Sequence, residues 1–239
     1  MASSSAPTSV FDDYHFRTEL NQTLFESLVR KKKVTPEVGF NLDEDEYLQI
    51  KEQIALRGWR KLAAPITDIS KLLVQEFYAN AAVSDKEMED AGQLPYKSYV
   101  RGVEVDFSPE HIRRVMSFKV ETPGAETDYT IRQATDQRLV KSLLTSRGWQ
   151  EFTIHSLVLT GNKSEITVAR VILIHAIMKG EEVRVENIIA DNIAVIAQGL
   201  HGKGKLGFPS TIYKLCKDAR VPMREFKRTA DSTTKANHG

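Results

Sequence analysis

Hydrophobic residues recur at helical spacing along most of this chain. Phe16, Leu20, Leu24 and Leu28 recur every four residues and precede the basic run Arg30–Lys33, which suits the negative end of a helix dipole. This spacing predicts a helix over about 12–33. Similar patterns, bounded by acidic first turns, glycine or proline, predict helices over about 43–57, 68–81, 129–146, 165–179, 184–198 and 209–220. The pattern therefore predicts a mainly α fold.

Alternating apolar and polar residues mark one short β element. Tyr99-Val100 and Val103-Glu104-Val105 flank Arg101-Gly102, and alternation around a glycine turn is typical of a β-hairpin. Ser108-Pro109 follows directly, and serine before proline is a common start of a helix. We therefore expect a single multi-helix globular domain with one short β-hairpin near residues 97–107.

The two ends of the chain differ from its middle in composition. Residues 1–10 and 229–239 are rich in small and polar residues and have little to bury. The full 239-residue chain is 41% hydrophobic, which is enough for its middle to build a core. We expect a disordered tail over 1–10, a helical domain over 11–222 and a basic, disordered tail over 223–239.

The tripeptide Arg-Gly-Trp occurs twice, each time after an amphipathic segment. Glycine can take the left-handed position just past a helix, and the following tryptophan can pack back on the last turn. We therefore interpret both copies as helix-stop motifs, formed by Arg57, Gly58, Trp59, Arg147, Gly148 and Trp149. In the alternative interpretation, the two tryptophans form an exposed platform for bases or partners, although tryptophan is usually largely buried.

Composition excludes several classes of protein. A single cysteine, Cys216, excludes an intramolecular disulfide and any multi-cysteine zinc module, and its apolar surroundings predict a core residue. The longest strongly apolar window, 168–178, contains Arg170 and His175 and is too short to cross a bilayer. The sequence shows no secretory signal, so we expect location in the nucleus or cytoplasm and no membrane partner.

Charge is balanced overall but not regionally. The net charge is +1, whereas residues 201–239 contain nine basic residues against three acidic ones. Five of those basic residues lie in or beside predicted loops and are candidate contacts to a polyanion, with weak, non-specific nucleic-acid binding at most: Lys203, Lys205, Arg224, Lys227 and Arg228. The alternative is a solvated tail that binds nothing. The run Arg30–Lys33 is a second candidate, for nuclear import or a polyanion contact, and a solvated helix end explains it equally well.

Motifs for catalysis are weak throughout. The segment Gly199–Gly207 has the glycine and lysine spacing of a phosphate loop, but Leu206 stands where such a loop needs Ser or Thr, and a helix is predicted before it. Asp106 could be compared with the strand carboxylates of integrases, yet one hairpin cannot supply their sheet, which favours a role at the helix entry. The acidic run 43–46 suits a helix start. We predict no catalytic residue, no cofactor and no metal site.

Several blocks, in this order, resemble the putative plant transposon protein domain over about residues 56–222. Their ranges are 57–59, 74–80, 99–109, 172–180, 186–191, 208–210, 215–217 and 221–222. The order is also loosely similar to that of the aminotransferase-like plant mobile domain. The resemblance implies an origin in a plant mobile element, often beside retroelement fragments, and it brings no established catalytic residues.

These observations favour a non-enzymatic binding domain derived from a plant mobile element, whose partner is protein or nucleic acid. Two alternatives stay open. One is a metal-dependent nuclease or integrase-like phosphoryl-transfer enzyme, which needs carboxylates converging on a divalent cation. The other is a genomic remnant without selected function.

Overall fold

The fold is mainly α, as the sequence predicts, with one two-stranded antiparallel hairpin among the described residues. The computed structural model describes residues 10–39, 48–82, 96–119, 153, 173–177 and 181–223. The helices are α1 (Glu19–Ser27), α2 (Leu48–Arg57), α3 (Arg60–Ala63), α4 (Lys71–Ala81), α5 (Pro109–Met116), α6 (Val185–Gln198) and α7 (Pro209–Asp218). A 3₁₀ helix (Val29–Lys31) follows α1, and residues 173–177 are helical. The strands are β1 (Lys97–Val100) and β2 (Val103–Asp106).

The first helix is much shorter than the predicted 12–33. Asp12 accepts the backbone N–H groups of Tyr14 and His15 at 3.1 and 3.3 Å, which stabilises a turn in place of a helix. Thr18 then caps α1 by accepting the Asn21 N–H at 3.2 Å. After Ser27 the chain tightens into the 3₁₀ helix, so the whole basic run Arg30–Lys33 lies beyond α1. The prediction was wrong here because local side-chain bonds compete with helical spacing.

The other described helices lie close to their predicted positions. The hydroxyl groups of Ser70 and Ser108 cap α4 and α5, and α6 and α7 begin at Val185 and Pro209. The helix predicted over 43–57 is described from Leu48 onward, as α2. The helix predicted over 165–179 is described only at residues 173–177, and the helix predicted over 129–146 lies outside the described residues. The helical turn α3 is not predicted by the sequence.

Helix α4 lies at the centre and contacts β1, α1, α6 and α7. It is buried on every face from Leu73 to Ala81, so its polar side chains bond to backbone or side-chain groups of the segments around it. Asn80 accepts the Arg17 N–H at 2.9 Å and donates to the His15 carbonyl at 2.8 Å. Residues 10–39 are therefore fastened to the central helix through its polar side chains.

The hairpin turns at Arg101-Gly102, as its sequence indicates. Both residues have positive φ, +49° and +83°, as a two-residue type I′ turn requires. Arg101 is buried, and its Nε lies 3.3 Å from Glu76 Oε2 in an ion pair whose side chains are both 1% exposed. Its Nη1 also donates to the Pro222 carbonyl at 2.8 Å. Through Arg101, the turn thus connects the central helix to the residues that follow α7.

A carboxylate from the N-terminal segment closes the start of α7. Glu37 is 4% exposed and accepts hydrogen bonds from the Ser210 N–H and from the Thr211 hydroxyl and N–H, at 2.9 and 3.3 Å for Thr211. Burial raises the pKa of Glu37, and these bonds oppose the shift. Tyr78 lies nearby, and its pKa is raised well above its usual value by burial and then by the Glu37 charge. This contact joins residues that are more than 170 positions apart in the chain.

Candidate functional site

A cleft of about 410 Å³ lies between the end of the 3₁₀ helix and the loop that joins α6 to α7. Six basic side chains line it: Lys31, Lys32, Lys33, His201, Lys203 and Lys205. Ser27, Leu28, Leu200 and two glycines complete the lining, and no acidic residue stands among the described residues there. Five lysines on one cleft form a dense positive region in a chain whose net charge is +1. We call this feature the basic cleft.

The first wall of the basic cleft is positioned by the central helix. Buried Gln75 on α4 donates its side-chain N–H groups to the carbonyls of Val29, Arg30 and Lys32, at 3.1, 2.9 and 3.2 Å. The Arg30 and Lys32 carbonyls stand at the end of the 3₁₀ helix, where backbone acceptors lack helical partners, whereas the Val29 carbonyl also accepts the Lys32 N–H at 2.9 Å. Gln75 satisfies them and holds the basic run at the surface.

The second wall is a loop with buried anchors on both sides. Leu200 and Leu206 are 2% and 0% exposed, whereas residues 201–205 between them are exposed. Leu206 pairs with Val34 in a parallel β-bridge, in which the Leu206 N–H donates to the Lys33 carbonyl at 2.9 Å and the Thr35 N–H donates to the Leu206 carbonyl at 2.7 Å. This backbone pairing brings the basic run and the glycine loop together.

The glycine loop has the geometry of a helix connection and not that of a phosphate loop. It follows α6, whereas a phosphate loop follows a strand. A phosphate loop also points backbone N–H groups at its ligand, whereas here the Gly202 and Gly204 carbonyls accept hydrogen bonds from Lys32. The spacing of glycine and lysine in this segment therefore carries no nucleotide-binding geometry.

The structure brings together two candidate regions that lie far apart in the sequence. Lys203 and Lys205 both line the basic cleft, beside Lys31–Lys33 from the other end of the chain. The remaining candidate contacts, Arg224, Lys227 and Arg228, lie outside the described residues. Sequence reasoning missed the convergence, and the only available signal was that both regions combine basic residues with a predicted helix end.

The first Arg-Gly-Trp motif ends α2 in a Schellman arrangement. Gly58 has φ +73°, the Trp59 N–H donates to the Ile54 carbonyl at 2.8 Å, and the Gly58 N–H donates to the Ala55 carbonyl at 3.4 Å. Trp59 is 2% exposed, so it is a packing residue and not an exposed platform. The second copy, Arg147, Gly148 and Trp149, lies outside the described residues.

Arg57 has a further role that its position at the helix end did not indicate. Its side chain is buried, donates to Gln53 at 2.9 Å and to the Glu181 carbonyl at 2.7 Å, and lies over the Trp59 ring at 5.1 Å. A buried guanidinium over an indole is stabilised by cation–π attraction. The motif therefore both ends α2 and fastens it to the segment before α6.

Asp106 lies at the helix entry. Its Oδ1 accepts the Ser108 N–H at 2.7 Å, and its Oδ2 lies 3.6 Å from His111 Nδ1. On the other side of the imidazole, Asp218 Oδ2 lies 3.3 Å from His111 Nε2. Within the described ranges, no group of three His, Cys, Asp or Glu side chains is arranged to hold a metal ion. These carboxylates flank a histidine and do not converge with each other.

A serine and a lysine lie in contact at the start of α7. Lys214 Nζ donates to Ser210 Oγ at 2.6 Å, and burial lowers the pKa of Lys214. A neighbouring base with a lowered pKa can activate a serine nucleophile. Ser210 is fully buried, however, and its Oγ also accepts the Ile66 N–H at 2.9 Å. A substrate cannot reach this hydroxyl, so the pair fastens α7 to the loop before α4.

Comparison with known proteins agrees with the resemblance seen in the sequence. A family model, the putative plant retrotransposon-related domain, matches residues 55–222, which confirms the resemblance to a plant mobile-element domain seen over about 56–222. No curated protein and no solved structure matches the chain. In the described part of the chain, no helix has the length and apolar character to cross a membrane. The chain belongs to the plant retrotransposon-related domain family, with a basic cleft that lies partly upstream of the matched residues.

Proposed function

We propose that this domain is a non-enzymatic binding module that holds nucleic acid by its phosphates at the basic cleft. The observation that carries the proposal is the convergence of five lysines from two distant parts of the chain on one concave surface. The clustered lysines repel each other, and a polyanion that neutralises several of them at once relieves this repulsion. Its binding is also favoured by the release of counterions from the nucleic acid. Nuclear or cytoplasmic location is consistent with such a ligand.

The composition of the cleft favours recognition of the backbone over recognition of bases. Its described lining contains no Phe, Tyr or Trp, and the exposed imidazole of His201 is the one ring there, so it offers little surface on which bases can stack. Lysine is a point charge on a flexible stem and contacts phosphate without reading sequence. We therefore expect sequence-independent binding, to which Arg224, Lys227 and Arg228 can add further phosphate contacts.

Binding should weaken steeply as salt is added. Four phosphate contacts, from Lys31, Lys33, Lys203 and Lys205, give a log–log slope of about −3.6 on duplex DNA, at about −0.9 per contact. Raising monovalent salt from about 50 to about 200 mM should then weaken binding roughly 150-fold. This magnitude distinguishes cleft binding from a single stray contact, whose slope stays near −0.9.

The test is a fluorescence anisotropy titration of a labelled duplex at several salt concentrations. One variant replaces the four proposed contact lysines, Lys31, Lys33, Lys203 and Lys205, by Gln. A charge-matched control replaces four lysines that do not line the cleft, Lys51, Lys71, Lys119 and Lys217. We expect the cleft variant to lose binding at low salt while the control keeps most of it.

Three outcomes contradict the proposal. They are absence of binding by the parent protein at low salt, equal losses in both variants, and a preference for an acidic polypeptide such as polyglutamate over DNA. The last outcome indicates an acidic protein partner at the same surface.

A further inference from the structure

Lys32 differs from the other lysines of the basic cleft. It is half-buried, whereas the other four are exposed. Its Nζ donates to the Gly202 carbonyl at 2.7 Å and to the Gly204 carbonyl at 3.0 Å. Two of the three ammonium hydrogens are therefore committed within the protein. This lysine has little hydrogen-bonding capacity left for a phosphate.

We propose that Lys32 is the positioning residue of the basic cleft, which fixes the glycine loop so that Lys203 and Lys205 can meet phosphates together. The inference rests on the proposed function and assigns separate roles to residues of the same site. Four lysines contact the polyanion: Lys31, Lys33, Lys203 and Lys205. Lys32 holds the loop that carries Lys203 and Lys205.

The backbone freedom of the loop explains why it needs the two hydrogen bonds from Lys32, which we call the Lys32 tie. Gly202 and Gly204 flank Lys203, and glycine has more backbone freedom than any other residue. The two bonds from Lys32 fix carbonyls on both sides of Lys203, and with them the peptide planes that set the direction of its side chain. Without the tie, Leu200 and Leu206 still anchor the ends of the loop, but the five residues between them can reorient.

The electrostatics agree with this role. The two bonded carbonyls present partial negative charge to the Lys32 ammonium and hold it against the loop. Burial lowers the pKa of Lys32, which is the expected cost of withdrawing an ammonium group from water. An exposed contact lysine keeps its hydration until a phosphate replaces it.

The experiment compares Lys32→Met, Lys32→Arg and Lys31→Met in the full chain by DNA titration at several salt concentrations. Lys31→Met removes a phosphate contact and should make the slope about 0.9 less steep. Lys32→Met should leave the slope unchanged. If the freed loop is competent to bind about a third of the time, Kd rises about threefold. Lys32→Arg keeps donors for both carbonyls and should restore the affinity of the parent.

A second measurement follows the loop without any ligand. Amide hydrogen exchange over residues 199–207 should be faster in Lys32→Met than in the parent, and unchanged in Lys31→Met. If neither the parent nor any variant binds DNA but loop exchange is still faster in Lys32→Met, the proposed function fails, while the role of Lys32 in fixing the loop holds. A slope change for Lys32→Met equal to that of Lys31→Met, or loop exchange that does not respond, overturns the positioning role.

Discussion

Replacing Gly58 by alanine should destabilise the fold more than any other glycine-to-alanine change in the described helix ends and turns. Gly58 has φ +73°, a conformation that costs an L-residue about 1–2 kcal/mol. The added Cβ would lie 2.8 Å from the Ser117 carbonyl oxygen and 3.2 Å from the Lys119 nitrogen. Both atoms are backbone, and the Lys119 N–H is already bonded to the Arg57 carbonyl at 3.1 Å, so neither can move cheaply.

The magnitude follows from these two effects. Overlap in a packed region costs about 1–3 kcal/mol, so the total loss for Gly58→Ala is about 2–5 kcal/mol. Gly102→Ala is the matched control, because Gly102 also has positive φ, +83°, but its Cβ would make only ordinary van der Waals contacts, to the Tyr14 ring at 3.7 Å and the Tyr99 hydroxyl at 4.0 Å. The control should lose only the conformational part, about 1–2 kcal/mol.

Urea unfolding followed by circular dichroism measures both variants against the parent. The m-value should stay constant, so that the shift in midpoint reports the unfolding free energy. The reasoning is refuted if the two variants lose equal stability, or if Gly102→Ala loses more. Either result would mean that α2 and the end of α5 do not approach as closely as the Gly58 contacts require.

Two further predictions concern buried side chains. Trp59→Ala should cost about 3–5 kcal/mol of unfolding free energy, because the ring is 2% exposed and its removal leaves a cavity; an unchanged melting temperature would contradict this. For Glu37 the raised folded-state pKa means that its contribution to stability is fully present below its ordinary value of 4.5 and is lost as pH rises through the folded-state value. Because glutamine does not titrate, the stability of Glu37→Gln relative to the parent should increase with pH across that window in thermal denaturation. A relative stability that stays flat or decreases with pH excludes the shift.

Features that depend on neighbouring residues could be predicted from the sequence. The Arg101-Gly102 turn, the Ser108 cap and the end of α2 at Gly58 each follow from the backbone preference of one or two residues. The start of α1 could not be predicted from spacing alone. Its position depends on side-chain bonds from Asp12 and Thr18, which compete with the helical pattern.

The candidate site depends on contacts that no local pattern contains. Lys32 and Gly202 are 170 positions apart, and their bond follows from the way in which α4 and α7 bring two chain segments side by side. The buried role of Arg57 was also outside the reach of sequence reasoning, because its partner is the Glu181 carbonyl, 124 positions away. A basic run and a glycine loop are visible in the sequence as separate features, and only the fold shows that they share a surface.

The bond from Glu37 to the start of α7 bears on how this domain can be cut or exchanged. Glu37 lies upstream of the matched family residues 55–222, yet it closes a helix near the end of that range. A fragment trimmed to the family boundaries would leave the α7 start uncapped and the Gln75 donors without acceptors. The folded domain that can be expressed or transplanted intact is therefore larger than the range 55–222 that sequence comparison delimits. A fusion junction belongs before residue 10.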